Sequence, residues 1–560
     1  MESCPTRAVL PLVGLAAEKV IRDRYKTAVS QATRERGIAR AMNMKPYHKG
    51  DHPMARSLKI VTLFAVGLVI AGVTHGSARA SDRPNFVFIL VDDLGWSDVS
   101  PNNPDTFYET PNIQRLAESG LRFTEAYAAC QVCSPTRASI LAGQYPARMN
   151  TTDYFGAPMG EQWNRPTKML PAEYVDRLPL DQVTIAEALK QAGYATFFAG
   201  KWHLGPREGF YPRDQGFDVN IGGHHRGGPY TGNKYFSPYN NPKMTNGPKG
   251  EHLPDRLASE AVEFMRKHKD GPFLTYLSFY SVHTPLQGRK DLVEKYESKR
   301  ARLKHHGPRW KPEGPRSARQ VQDHAVYAAM VEAMDQAVGK VLDGLDELAL
   351  ADNTIVIFFS DNGGLSTSEG HPTSNLPLRG GKGWIYEGGV REPCIIRAPR
   401  ITERGSVCEV PIISTDFYPT MLDLAGLPMR PRQHLDGVTI KPLLKNPAAA
   451  LDRGAIYWHY PHYGNQGGFP SSAIRQGPWK LIHDIEDNAY ELYNIAEDPG
   501  ERHNLVESKQ DLVNELKAKL DAWRKDVNAR MPSPNPNYDQ DKLKQNHRRR
   551  DRSARQGKYS

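Results

Sequence analysis

Phe86–Val91, FVFILV, is an unbroken apolar run that stops abruptly at Asp92-Asp93. A run this short, rich in aromatic and β-branched residues and without polar alternation, has the texture of a strand buried on both faces of a parallel sheet. Three further runs share that texture and also lead into polar clusters. Ala195–Phe198 (ATFF) runs into Gly200-Lys201-Trp202-His203, Phe273–Phe279 (FLTYLSF) leads to His283-Thr284-Pro285, and Thr354–Phe359 (TIVIFF) leads to Asp361-Asn362-Gly363-Gly364. Between them lie helical segments. Thr184-Ile185-Ala186-Glu187 is a capping box opening an amphipathic stretch to Ala192, and 321–349 carries helical apolar spacing with no breaker before Gly339. Strands alternating with helices predict an α/β domain over 81–450.

From about residue 451 the pattern changes. Ala455–Tyr460, Ala473–Arg475, Trp479–His483 and Tyr490–Tyr493 are short strand-like pieces with turns between them, as in an antiparallel meander. A helix over Ser508–Val527 is expected to bury Leu512, Leu516, Leu520, Trp523 and Val527 on one face. These predict a small α+β subdomain over 451–530. The polar, basic tail, 531–560, is expected to be disordered.

The chain of 560 residues has room for several domains, and 39% apolar with 24% charged residues marks an ordinary globular protein. Five cysteines exclude a disulfide scaffold. The net charge of +10 sits at the ends: residues 1–80 hold 13 Lys/Arg against 5 Asp/Glu, 539–560 hold 8 against 3, and 81–538 is left at −3. No nucleic-acid partner is therefore expected of the body. Residues 60–73, IVTLFAVGLVIAGV, follow Arg56 and Lys59 and precede Ala78-Arg79-Ala80, the build of a secretory signal peptide. The run is short for a membrane span. Translation from Met54, with 1–53 a gene-start error, accounts for its depth in the chain; a signal anchor behind a cytosolic segment is the alternative. Either way 1–80 is a leader and the body is exported, periplasmic or secreted, with no stable membrane association after signal cleavage.

In open α/β sheets, ligands gather at the carboxyl ends of strands, so four loaded strand ends would converge on one rim. Asp92, Asp93, Asp361 and Asn362 offer three carboxylates and an amide oxygen, hard donors that suit Ca²⁺ or Mg²⁺ rather than zinc. Turn chemistry is the plainer alternative, since Asp-Asn-Gly-Gly is also a good turn. Cys133 precedes a helix N-terminus with Arg137 one turn on, positive surroundings that favour a nucleophile attacking an anionic ester. A buried structural thiol and a redox pair with Cys130 are the competing readings.

These residues fall into a known order. CSPTRASILAG (133–143) resembles the C-x-P-x-R signature of type I sulfatases, in which the cysteine is oxidised to formylglycine, and GKWHLG (200–205) resembles the second sulfatase signature. ILVDDLGW (89–96), SDNGG (360–364), RGGKGWIYEGGVREP (379–393), RQGPWKLI (475–482) and ELYNIAEDPGERHNL (491–505) match further blocks of that family, so the likeness spans 84–505. It implies an alkaline-phosphatase-like α/β fold: a mixed, largely parallel sheet flanked by helices, with a small C-terminal antiparallel subdomain.

The resemblance also implies an arylsulfatase-like sulfuric ester hydrolase. By motif, Asp92, Asp93, Asp361, Asn362 and the modified Cys133 would bind Ca²⁺, in preference to Mg²⁺. The hydrated aldehyde (from 3-oxoalanine at 133) would be the nucleophile, one hydroxyl attacking sulfur and the other losing its proton to expel sulfate. Arg137 and Lys201 would hold that hydrate and help neutralise the carboxylates, and His203 would take the proton. His283 and Lys382 would contact the ester, His283 protonating the leaving oxygen. Implied partners are a formylglycine-generating maturation enzyme and a sulfate-ester substrate, preferably a glycan, met by the loops 222–230, 231–254 and 456–470. A phosphate or phosphonate monoester hydrolase on the same fold and a catalytically silent carbohydrate-binding protein are the alternatives.

Overall fold

Strand β1, Asn85–Val91, has every residue buried. Val87, Ile89 and Val91 enter one hydrophobic core while Phe86, Phe88 and Leu90 enter another. Apolar cores on both faces leave no position for a polar residue, which is why the run does not alternate. The computed structural model describes residues 83–230 and 234–555, all within one unit, Ala78–Ser560. The leader features (Met54, the apolar run 60–73 and the cleavage pattern 78–80) lie outside the described residues. Among the described residues no helix is long and apolar enough to cross a membrane.

The sheet continues with β2 (Leu121–Tyr127), β3 (Ala195–Gly200), β4 (Val219–Ile221), β5 (Phe273–Ser278), β6 (Thr354–Ser360), β7 (Arg391–Arg397), β8 (Ser406–Cys408) and β9 (Ile412–Ile413). Their spatial order is β8-β2-β7-β6-β1-β5-β3-β4, with β9 also paired to β2. Only β7 runs against its neighbours, β6 and β2; the other pairings are parallel. Helices α1 (Pro111–Ser119), α2 (Cys133–Ala142), α3 (Ile185–Gln191), α4 (Leu253–Lys267), α5 (Ala325–Glu347) and α6 (Phe417–Leu424) cover the two faces. α1, α4 and α5 pack into the first core, and α2, α3 and α6 into the second. The fold is the alkaline-phosphatase-like architecture expected, and register sets the site: Val91 pairs with Ser360, Leu90 with Ser278, and Ser278 with Gly200. The chains leaving β1, β6, β5 and β3 therefore emerge level with one another.

The C-terminal sheet is antiparallel, β10 (Ile456–Tyr460), β11 (Ser471–Gln476), β12 (Trp479–Asp484) and β13 (Ala489–Asn494) in sequence order. Helix α7, Gln510–Asp526, packs on it through Val513, Leu516, Leu520 and Trp523. Val513 takes the buried place expected of Leu512, because steps of three and four residues from Val513 keep one face inward. Tyr127, Tyr145 and Trp384 from the larger part share this core. A buried ion cluster seals the seam: Lys480 Nζ lies 2.9 Å from both Glu387 and Glu501, all three unexposed at the side chain.

Within the described residues 531–555 the tail departs from the expectation of disorder. Ser533–Pro534 pair with Met169–Leu170, and Gln540–Arg555 form helix α8. Polar anchors supply what apolar content does not. Asn535 donates its backbone N–H to Lys168 O at 2.9 Å and its amide to Thr167 O at 2.8 Å. Asp539 accepts from the backbone N–H groups of Asp541 and Lys542 at 3.1 and 3.0 Å, capping the helix.

Candidate active site

The level strand ends bring Asp92, Asp93 and Asp361 together, with ligand oxygens all within 4.8 Å of one another and every side chain buried. Asn362 donates its amide to Asp93 Oδ1 at 2.8 Å, and its buried Oδ1 has no hydrogen-bond partner. An orphaned amide oxygen beside three buried carboxylates is a donor set that fits a hard dication such as Ca²⁺. Burial raises the Asp92 pKa well above the ordinary carboxylate value; Lys201 and Arg137 oppose the rise, while Asp361 and Asp93 add to it. For Asp93, burial is outweighed by Lys382, His283 and Lys201, and the pKa falls below the usual range.

Three cations face the three carboxylates. Lys201 Nζ lies 2.8 and 2.7 Å from the two oxygens of Asp92, and Lys382 Nζ donates to Asp93 Oδ2 at 2.8 Å. Arg137 is pinned to Asp361 and also donates to Lys201 O at 2.9 Å and Ser278 Oγ at 2.7 Å. The formal charges cancel, so a bound dication leaves the pocket positive and attractive to an anionic ester. Burial disfavours the Lys382 ammonium, but Asp93 and Glu369 override it and hold its pKa well above the ordinary lysine value. Lys382 reaches this position because the RGGKG loop runs against the loop after β6. Lys382 N donates to Gly364 O at 3.1 Å, and a Cβ at Gly381 would sit 2.4 Å from that same oxygen. Asp93 and His203 both hold left-handed backbone (φ 62° and 54°), a strained conformation typical of functional positions.

Cys133 opens α2, fully buried, with its Sγ 3.4 Å from His203 Nδ1. His203 Nε2 lies 3.1 Å from Phe155 O. A carbonyl can only accept, so Nε2 carries the proton and Nδ1 presents its lone pair to residue 133. Burial and Lys201 keep this imidazole neutral, its pKa well below the ordinary value. His283 is arranged the other way: Nδ1 donates to Thr284 O at 2.7 Å, leaving Nε2 3.8 Å from Asp93 Oδ2. Burial and Lys382 lower its pKa to about 4 against the pull of Asp93. Cys130 is buried and in no disulfide, its Sγ 3.9 Å from Gln131 Oε1, and burial pushes its thiol pKa up, which does not suit a redox partner.

Every residue expected at the site belongs to this cluster or touches it. Several participants carried no sequence signal. Ser278 is a strand-terminal hydroxyl, and Phe155 acts through its carbonyl. Glu369 accepts from Thr284 Oγ1 at 3.3 Å and from Gln466 Nε2 at 2.7 Å. Loop 222–230, expected to meet substrate, lies over both histidines: a Cβ at Gly227 would fall 2.6 Å from the His203 ring, and one at Gly228 3.8 Å from His283 Nδ1.

The family model for sulfatases matches residues 84–427, and that for the C-terminal part of N-sulphoglucosamine sulphohydrolase matches 381–526. The chain belongs to the sulfatase family. A sulfatase of Formosa agariphila is 33% identical, covering 83% of this chain and 93% of its own. Human steryl-sulfatase is 29% identical over 80% of this chain and 88% of its own. The crystal structure of Ps i-CgsB in complex with k-i-k-neocarrahexaose superposes with a TM-score of 0.63 at 29% identity, covering 79% of this chain and 92% of that one. This sulfatase is accordingly a sulfuric ester hydrolase, and the buried rim just described is where the family signatures 133–143 and 200–205 meet.

Proposed function

We propose that this sulfatase removes sulfate from a carbohydrate ester, with residue 133 acting as formylglycine and Ca²⁺ held by Asp92, Asp93, Asp361 and Asn362. The observation that carries the chemistry is the lone pair of His203 Nδ1 aimed at the side chain of residue 133, 3.4 Å away, with Nε2 tied to Phe155 O. When bound, the metal supplies charge to bind the sulfate oxygens and the aldehyde supplies a hydrated nucleophile.

The chain's own residues do the rest. His203 accepts the proton that residue 133 gives up when sulfate departs. Arg137 and Lys201 bind Asp361 and Asp92 and fix their orientation. Lys382, charged and fixed by Asp93, faces the ester and steadies its oxygens. His283 arrives neutral; an anionic ester next to Nε2 favours its protonated form, which can then donate to the leaving oxygen.

A carbohydrate substrate is supported by the sugar in the Ps i-CgsB complex and by the aromatic and histidine-rich loops above the rim. Export to the periplasm or medium is supported by the apolar run 60–73 and Ala78-Arg79-Ala80. Sulfate release from a panel of sulfated glycans, with 4-nitrophenyl sulfate and 4-nitrophenyl phosphate as paired controls, tests the reading. Release from at least one glycan in preference to the aryl sulfate supports it. A preference for the phosphate ester overturns it.

A further inference from the structure

Helix α8 is strongly basic and takes no part in the chemistry above. Lys542, Lys544, Arg548 and Arg549 are exposed along it. Leu543, its single large apolar residue, turns inward to line a cavity of about 360 Å³. A second cavity of about 420 Å³ adjoins it, sharing Arg165, Pro166 and Asn546, and is lined by Trp163, Lys542 and Arg549. Trp163 and Tyr463 stack with ring centroids 5.8 Å apart, and the Arg165 guanidinium lies 4.8 Å from the Trp163 ring. The first cavity is also lined by Asp484, Glu486 and Asp487, so the cations placed to meet sulfates are those of the second, Lys542 and Arg549, beside stacked aromatics that suit the apolar face of a sugar ring.

The surface is fixed in place and linked to the catalytic rim through one loop. The Ser533–Pro534 pairing, Asn535 and the Asp539 cap hold α8 to 165–170. The loop that carries Tyr463 also reaches the site: Trp384, two residues after Lys382, donates its Nε1 to Gln466 O at 3.1 Å, and Gln466 donates to Glu369.

We infer that α8 and the Trp163–Tyr463 stack form a second, non-catalytic binding surface for a sulfated polysaccharide, one part of which lies in the catalytic pocket while a neighbouring part lies here. This rests on the carbohydrate reading above. A lipid surface is the weaker partner, because α8 turns its one large apolar side chain inward and has no apolar face to bury in a bilayer.

The test uses the full chain in two variants: a charge-removal variant (Lys542→Ser, Lys544→Ser, Arg548→Ser and Arg549→Ser together) and Trp163→Ala. Binding of heparin and of κ-carrageenan is measured by calorimetry at low and high salt, beside turnover of 4-nitrophenyl sulfate and binding to phosphatidylserine vesicles. Affinity for at least one polysaccharide should fall about tenfold in each variant, and the charge-removal variant should lose most of its salt dependence. Turnover of the small ester should stay at the wild-type level. Absence of polysaccharide binding by the wild type, wild-type affinity in both variants, or loss of vesicle binding alone would overturn the inference. Binding is read without turnover, so a failure to hydrolyse any sulfate ester would sink the catalytic reading and leave this result to stand on its own.

Discussion

Arg137 grips Asp361 through two nitrogens, Nε at 2.7 Å and Nη2 at 2.6 Å from the same Oδ2, and neither side chain is exposed beyond 2%. The same guanidinium reaches the carbonyl of Lys201 and the hydroxyl of Ser278. One planar group thus ties together the ends of β3, β5 and β6 from one turn into α2. A lysine cannot reproduce a rigid fork. Arg137→Lys should therefore lower kcat by at least about a hundredfold and stability by roughly 3 kcal/mol, the scale of a broken buried ion pair. Steady-state kinetics and denaturant melts of the variant check both numbers.

The proposed dication would bind the folded arrangement of Asp92, Asp93, Asp361 and Asn362 and so would stabilise it. Chelation should lower the melting temperature and abolish turnover, and Ca²⁺ should restore both more effectively than Mg²⁺. At a hundredfold excess over its dissociation constant the ion contributes about 2.7 kcal/mol. Asp361→Asn should remove most of that calcium response, read by calorimetric melts with and without the ion.

Loop 222–230 presses on His203 at Gly227, where any side chain would collide with the imidazole. Gly227→Ala should displace the ring from residue 133 and cut kcat by about a hundredfold, with KM changed far less. Its melting curve should stay close to wild type, since the loop contributes little to either large core. A collapse of stability in place of kcat would show that the loop has a structural role instead.

Asp153 lies near the site without joining it, accepting from Tyr460 Oη at 3.0 Å and Tyr154 N at 2.8 Å. Burial lifts its pKa from 3.8 to about 7. A raised carboxyl pKa means the folded state binds the proton more tightly, so this stabilisation is full below about pH 4 and is lost as pH rises through about 7. Asp153→Asn keeps the acceptor and removes the buried charge. It should be the more stable protein at about pH 8.5, by a margin on the order of a few kcal/mol, and lose that advantage near about pH 4. Parallel melts across that range check the sign.

The parts of this molecule that follow from strong local chemistry were legible in the sequence. Doubly buried β1 and β6 can only be apolar runs, and the carboxylates beyond them can only be turns or ligands, so Asp92 and Asp361 stood out. The capping box at Thr184 forms as expected, the Thr184 hydroxyl accepting from Glu187 N at 3.1 Å. Features that depend on a distant partner were not legible. β2 mixes buried and half-buried positions, and β4 and β8 have only 3 residues each, too short for a periodic signal. Nothing local marks β7 as antiparallel. Ser278 matters only because Arg137 arrives from another part of the chain, and α8 is ordered by polar anchors that an apolar count does not see.

The proposed chemistry turns on residue 133 being a formylglycine beside His203. Peptide mass spectrometry across residues 123–148 of catalytically active, exported protein tests it most directly. Cys133 is expected to have exchanged its CH₂SH side chain for CHO, losing sulfur and two hydrogens and gaining one oxygen, in proportion to specific activity. An intact thiol at position 133 in a preparation that fully releases sulfate would contradict it.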